Sequence, residues 1–208
     1  MGALKDLQIL PLIHKHKTRL YFETGLGFGT GIIRAMQPEF GFDLLVSVEI
    51  NPELVELESK FFRFDTRIKL FNSTSVEGLE NLLPQIRLDY PIFFFLDAHF
   101  QSSDVVAVGG KQTKHSDGED DIRLPLWNEL QIIKKLRTDK GAKDVLCIDD
   151  LFLYSRETYF EDKVERLGPG AVPDYQRDWM PKFIELFDKT HKSKIVKEAQ
   201  GTLILEPK

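Results

Sequence analysis

Between Glu23 and Gly31 the chain reads Glu-Thr-Gly-Leu-Gly-Phe-Gly-Thr-Gly, and no other stretch restricts the fold as strongly. Residues 19–23 have the apolar character of a short strand, and 30–36 read as a helix. A glycine-rich turn joining a strand to a helix is the connection of an α/β unit. Gly25, Gly27 and Gly29 stand at alternate positions, where the lack of a Cβ lets backbone approach a ligand closely. Ligands of open α/β sheets lie beyond the carboxyl ends of the strands, so this turn is the first candidate binding element.

The rest of the chain repeats the alternation. Leu4, Leu7, Leu10 and Ile13 have helical spacing, and 44–49 read as a second buried strand. Asn51 is placed to cap a helix whose first position is Pro52 and which runs to Phe62. A third strand is expected at 68–71 and a helix at 76–86. Residues 91–96 are apolar on both faces, as a central parallel strand requires. A helix at 125–136, a strand at 145–148 and a helix at 174–190 follow. Strands at 194–198 and 202–205 flank Ala-Gln-Gly as a terminal hairpin. Residues 101–121 are polar and without periodicity, and a loop of that length reads as a lid. The pattern predicts an α/β fold with a doubly wound, mostly parallel sheet and an antiparallel edge.

Length and composition narrow the class. The 208 residues suit a single domain spanning 1–208, with no repeat and no long linker. A net charge of −5 argues against nucleic acid as the main partner, since such binding depends on Lys and Arg neutralising phosphates. The lone Cys147 lies in the apolar run Val-Leu-Cys-Ile, so it reads as a packed core thiol in a reducing compartment. No apolar run approaches the ~20 residues of a membrane span. The start of the chain has no basic stretch followed by an apolar core, so the expectation is a cytoplasmic protein.

A second acidic landmark closes the second strand. Glu49 lies ~20 residues beyond the turn, the spacing at which a nucleoside-binding α/β unit places a ribose-binding carboxylate. The dinucleotide pattern G-x-G-x-x-G is not met, because Thr30 or Ile32 stands where its third glycine belongs. No Gly-Lys-Ser/Thr is present, so the phosphate-binding loop of nucleotide hydrolases is absent too. The pattern E-x-G-x-G-x-G with a strand-end Glu resembles the class I S-adenosylmethionine-dependent methyltransferases. That resemblance covers nearly the whole chain and implies a seven-stranded Rossmann-like sheet of order 3-2-1-4-5-7-6. It also implies a cofactor site in which Glu23, Gly25, Gly27 and Gly29 cradle the methionine part and Glu49 binds the ribose. Ser73 and Thr74 would lie near the adenine.

Leu-Asp97-Ala-His99 ends the fourth strand and Ile-Asp149-Asp150 the fifth, and neighbouring parallel strands bring such ends together. Carboxylates gathered so closely repel unless a cation or a proton intervenes. The series Leu-Asp-Ala-His, Pro-Leu-x-x-Glu-Leu and Ile-Asp-Asp is similar to small bacterial metal-assisted O-methyltransferases of the macrocin type. The resemblance implies Mg²⁺ held by Asp97, Asp149 and Asp150, and methyl transfer to a hydroxyl, less often a nitrogen, of a small molecule or sugar. Three readings of the cluster stay open. It is a metal site; or His99 and Asp97 serve acid–base chemistry without metal, Asp97 alternatively holding the cofactor's amino group; or the residues are structural. With no Cys available and scattered His, zinc fits less well. Two rivals to a methyltransferase are a cofactor-binding partner subunit that does not methylate and a hydroxylase-type enzyme on the same scaffold. A small-molecule acceptor is the expected partner, and self-association into a homo-oligomer is left open.

Overall fold

The computed structural model describes residues 9–99, 124–157, 174–197 and 200–208, and the backbone of 105–108 and 111–114. Seven strands make one sheet: β1 Leu20–Thr24, β2 Leu44–Glu49, β3 Ile68–Asn72, β4 Ile92–Leu96, β5 Val145–Ile148, β6 His191–Val196 and β7 Thr202–Pro207. Their order is β3-β2-β1-β4-β5-β7-β6, as expected, with β7 antiparallel to both its neighbours and the first five strands parallel. The helices are α1 Leu10–His16, α2 Thr30–Ala35, α3 Pro52–Phe62, α4 Ser75–Leu82, α5 Leu126–Leu136 and α6 Met180–Phe187. Among the described residues no helix is long and apolar enough to cross a membrane.

The sheet is buried on both faces, and its strands β4 and β5 are apolar at every position. In β4, Phe93 and Phe95 pack on one side with Ile13, Ile32 and Phe62. Ile92, Phe94 and Leu96 pack on the other with Leu79, Leu130, Phe183 and Phe187. This alternation is the two-residue period of a strand with helices on both sides. Tyr21 stacks on Phe93 and Phe95 across the β1–β4 pair.

Local chemistry sets the helix ends. The Asn51 side chain accepts a hydrogen bond from the Glu53 amide at 2.9 Å, and Pro52 follows in the first turn, as the sequence suggests. The helix expected at 76–86 stops sooner: α4 ends at Leu82 and a 3-10 turn, Leu83–Gln85, replaces its last residues. Pro84 lacks an amide hydrogen and its ring crowds the preceding turn, so the α-helical ladder cannot pass it. The helix expected at 174–190 divides into a 3-10 turn, Asp174–Asp178, and α6, where Pro181 in the first turn fixes the new start. The lid expected at 101–121 falls largely outside the described residues. Two strands within it, Val105–Val108 and Lys111–Lys114, pair antiparallel where no regular structure was expected. They flank Gly109-Gly110, a dipeptide suited to a two-residue hairpin loop.

The amino-terminal edge of β4 and β5 is held by a buried ion pair. Arg137 donates to Asp144 through Nε at 2.7 Å and Nη2 at 2.9 Å, and both side chains are fully buried. The guanidinium also donates to the carbonyls of Ile86, Arg87 and Tyr90. Asp144 accepts in addition from the Ile92 amide at 2.8 Å, where β4 begins. Every donor and acceptor in this group is used, which is the condition under which a buried ion pair is tolerated. Arg137→Met leaves Asp144 as an unpaired buried charge and should lower the unfolding free energy in urea by about 3–5 kcal/mol. Combining it with Asp144→Asn should recover part of that loss. Equal losses in the single and double variants would show that charge is not the cause.

Candidate active site

The carboxyl ends of the inner strands are level. Thr24 pairs with Val48 and with Leu96, and Leu96 pairs with Ile148. The next residue of each strand, Gly25, Glu49, Asp97 and Asp149, therefore reaches the same edge. Hydrogen bonds across the step keep it so: the amides of Gly25, Asp97 and Asp149 donate to Val48, Thr24 and Leu96 carbonyls at 2.9, 3.1 and 3.1 Å.

The glycines of the turn answer to different demands. Gly25 has φ +84°, and a Cβ there would lie 2.7 Å from the Asp97 carbonyl oxygen, so this position seats β1 against the end of β4. Gly29 has φ +67°, and its Cβ would meet the Phe62 ring and the Glu58 carboxylate of α3 at 2.8 and 2.9 Å. Gly27, at φ +51°, has nothing within 4 Å of where its Cβ would be. Of the three, Gly27 alone faces open space. Its amide donates to Glu49 Oε2 at 3.1 Å, while Glu49 Oε1 accepts from the Asn51 amide at 2.8 Å. Glu49 thereby ties the turn to the end of β2, and a carboxylate oxygen has acceptor capacity beyond one hydrogen bond.

Glu23 lies beneath this surface. It is buried, and accepts from Tyr21 Oη at 3.0 Å and Ser47 Oγ at 2.8 Å. Gly31 was not singled out by the sequence, yet it makes room for Glu23: a Cβ would sit 1.8 Å from Glu23 Oε1. Ser73 and Thr74 stand at the start of α4. Thr74 caps the helix by accepting from the Glu77 amide at 3.2 Å and donates to the Glu77 carboxylate at 2.9 Å. Ser73 Oγ reaches the same carboxylate at 3.4 Å.

The acidic edge closes around His99. Its Nε2 is 2.8 Å from Asp150 Oδ2, and its Nδ1 is 3.5 Å from Asp97 Oδ1. Asp97, His99 and Asp150 each offer a ligand atom, all within 4.8 Å of one another. This set differs from the three aspartates expected. His99 belongs to it, whereas Asp149 is turned so that Oδ1 faces the Thr202 hydroxyl at 3.3 Å. Asp150 has φ +48°, a left-handed conformation uncommon outside glycine, and its Oδ1 is buried without a hydrogen-bond partner. Asp97 is pushed well above the usual carboxylate range by burial and by Asp149, Asp150 and Glu23, while His99 draws it back. Burial likewise keeps the Cys147 thiol protonated, in keeping with a core role.

A small cavity, with room for a group about the size of one water molecule, lies between Leu96, Asp97, His99, Asp149, Leu126, Glu129 and Tyr154. Glu129 and Tyr154 were not among the expected site residues. The signal for Glu129 is its place in α5: Leu126, Glu129, Leu130 and Ile133 form one buried stripe at i, i+3, i+4 and i+7, and a carboxylate interrupts it. Burial pushes its carboxyl up to about 7, with the Ser75 and Thr24 hydroxyls and His99 acting the other way.

No protein-family description and no curated sequence matches the chain. Its backbone does match solved structures. A Staphylococcus aureus protein assigned as a caffeoyl-CoA O-methyltransferase superimposes with TM-score 0.59 at 12% identity, over 99% of this chain and 83% of that one. The Bacillus cereus O-methyltransferase in complex with S-adenosylhomocysteine gives 0.58 at 14% identity, over 96% and 79%. TomG, an O-methyltransferase of Streptomyces achromogenes in complex with S-adenosylmethionine, gives 0.54 at 17% identity, over 96% and 78%. The chain has the class I methyltransferase fold.

Glu23 makes stability depend on pH. Burial raises its carboxyl from 4.5 to about 8, against the hydrogen bonds from Ser47 and Tyr21, with the Glu49 charge adding to the rise. Between these values the folded state binds more protons than the unfolded one, so stability from this group falls as pH rises through that window. In denaturant titrations from pH 5 to 8, Glu23→Gln should lose less stability than the parent chain. Parallel pH profiles would show that Glu23 is ionised throughout.

Proposed function

We propose that this protein transfers a methyl group from S-adenosylmethionine to an oxygen, less readily a nitrogen, of a small molecule or sugar. The observation that carries this reading is the level strand edge, which sets the Gly27–Glu49 surface beside the Asp97–His99–Asp150 group. Several of the solved structures that share the fold are O-methyltransferases by name, which supports the same chemistry. The cofactor would supply a methyl group on a sulfonium, reactive enough that alignment is the protein's main contribution. Open space above Gly27 suits a ligand pressed against backbone, and Glu49 has acceptor capacity left for ribose hydroxyls. Gly25, Gly29 and Glu23 shape that surface from below. Ser73 and Thr74, at the start of α4, would lie near the adenine, and Asp97 at the end of β4 would hold the ligand's amino group.

His99 is the residue for proton transfer. In this reading Nε2–H donates to Asp150, and Nδ1, on the side of Asp97, takes the acceptor's hydroxyl proton. Asp150 then faces the imidazolium that forms, and Asp97 flanks it from the other side. A divalent ion fits the same three residues, with the unpartnered Asp150 Oδ1 as an available ligand and Asp149 beside them. One imidazole and two carboxylates suit Mn²⁺ as well as Mg²⁺. Such an ion would lower the pKa of an acceptor hydroxyl, and His99 would then be a ligand rather than a base.

Calorimetry with S-adenosylhomocysteine tests the donor site. Gly27→Val, strained at φ +51°, should abolish binding at some cost in stability, and Glu49→Ala should weaken it by about 1.5–3 kcal/mol for each charge-assisted hydrogen bond lost. Parent-like affinity in both variants would remove the reading. A chelator separates the two roles of His99. Turnover that survives excess chelator and falls in His99→Gln identifies a base, whereas turnover lost to chelator and restored by Mg²⁺ or Mn²⁺ identifies a metal ligand.

A further inference from the structure

Glu129 is a carboxylate in an otherwise apolar stripe. It is 1% exposed, and among the described residues neither oxygen makes a hydrogen bond of good geometry, although the Ser75 and Thr24 hydroxyls lie close enough to favour its charged form. Its neighbours on the α5 stripe, Leu126, Leu130 and Ile133, belong to the core. A buried carboxyl without partners costs several kcal/mol relative to an apolar side chain of similar size. Leucine would fill this position at no such cost. Glu129 nonetheless lines the same cavity as His99, Asp97, Asp149 and Tyr154. The Thr24 hydroxyl at the end of β1 is the nearby donor to this carboxylate, and it too makes no hydrogen bond of good geometry among the described residues. Glu129 therefore brings unmet hydrogen-bonding capacity to a cavity that His99 also lines.

We infer that Glu129 is a specificity-determining residue that binds the acceptor, receiving a hydrogen bond from an O–H or N–H group other than the one methylated. The inference rests on the reading of this cavity as the acceptor side of a methyl-transfer site. Acceptors then carry at least two polar groups, one delivered to His99 and one held by Glu129. A ligand with a single hydroxyl leaves the carboxyl unpaired and is rejected, because an unmet buried polar group discriminates more strongly than an apolar contact does.

The test uses three probes on the full chain, with and without S-adenosylhomocysteine, followed by ligand-detected NMR titration. Ethylene glycol offers hydroxyl donors, ethanolamine offers an ammonium and a hydroxyl, and 1,2-dimethoxyethane offers no donor. The two donors should bind and the diether should not, and Glu129→Leu should weaken donor binding by about tenfold or more. The melting temperature of Glu129→Leu should stay or rise, since an orphan polar group has been removed. Glu129→Gln, which keeps an acceptor oxygen and lacks the charge, should retain ethylene glycol binding. A preference for ethanolamine that disappears in Glu129→Gln marks the held group as an ammonium; equal binding of both donors marks it as neutral. Either result supports the role. The inference is overturned if the diether binds as well as the donors, if Glu129→Leu binds them like the parent, or if Glu129→Leu melts markedly lower. Failure of S-adenosylhomocysteine to bind, with Glu129-dependent probe binding intact, would remove the methyl-transfer reading and leave the donor-binding role in place.

Discussion

An ion pair taken wholly out of water fixes where the central strands start. Arg137 and Asp144 lie at the amino-terminal edge of the sheet, far from the chemistry along the strand direction, yet they set it. Asp144 opens the segment leading into β5 and accepts from the first amide of β4, so the two strands begin in step. β4 and β5 are short, and their pairing from Phe93–Val145 to Leu96–Ile148 carries that alignment to the opposite edge. A slip of one residue there would turn every side chain to the other face and separate Asp97 from Asp150.

At that opposite edge the described residues gather several carboxyls around one imidazole. Glu23 and Glu129 are buried carboxyls raised toward neutrality, while Asp97 and Asp150 stand around one imidazole and Asp149 lines the same cavity. Such a group repels itself, and its members settle the conflict in different ways. Glu23 does so with two hydroxyl donors, Asp149 leans on Thr202, and Asp150 takes a left-handed backbone to meet His99. Glu129 has only the nearby Ser75 and Thr24 hydroxyls among the described residues, and neither meets it with good hydrogen-bond geometry. Strain and unmet polarity of this kind are costly in a structural core and commonplace where a ligand completes the arrangement.

Much of this was legible beforehand because the sheet signals are local. Strands apolar at every position, a Pro after a capping Asn and glycines at alternate positions each state their conformation without reference to the rest of the chain. β2, β5 and α3 fall at the expected residues for that reason. The helix ends near Pro84 and Pro181 were less legible, since the apolar pattern runs on past a proline whose effect depends on the turn before it. The site was legible as far as strand ends reach: Glu49, Asp97 and His99 follow apolar runs directly. Side-chain direction was not, so the grouping of His99 with Asp97 and Asp150, and the turning aside of Asp149, needed the third dimension. Glu129 was hidden differently, as one polar residue inside a helical stripe that reads as core.

Glu49 carries a consequence for how a ligand is received. With one oxygen on the Gly27 amide and the other on the Asn51 amide, its side chain occupies one rotamer before anything arrives. A flexible glutamate gives up roughly 1.5–2 kcal/mol of rotamer freedom when it is immobilised. Here that loss has already been incurred in folding. A hydroxyl group reaching Glu49 meets an acceptor at rest in its final orientation, so recognition at this corner proceeds with little entropy lost by the protein.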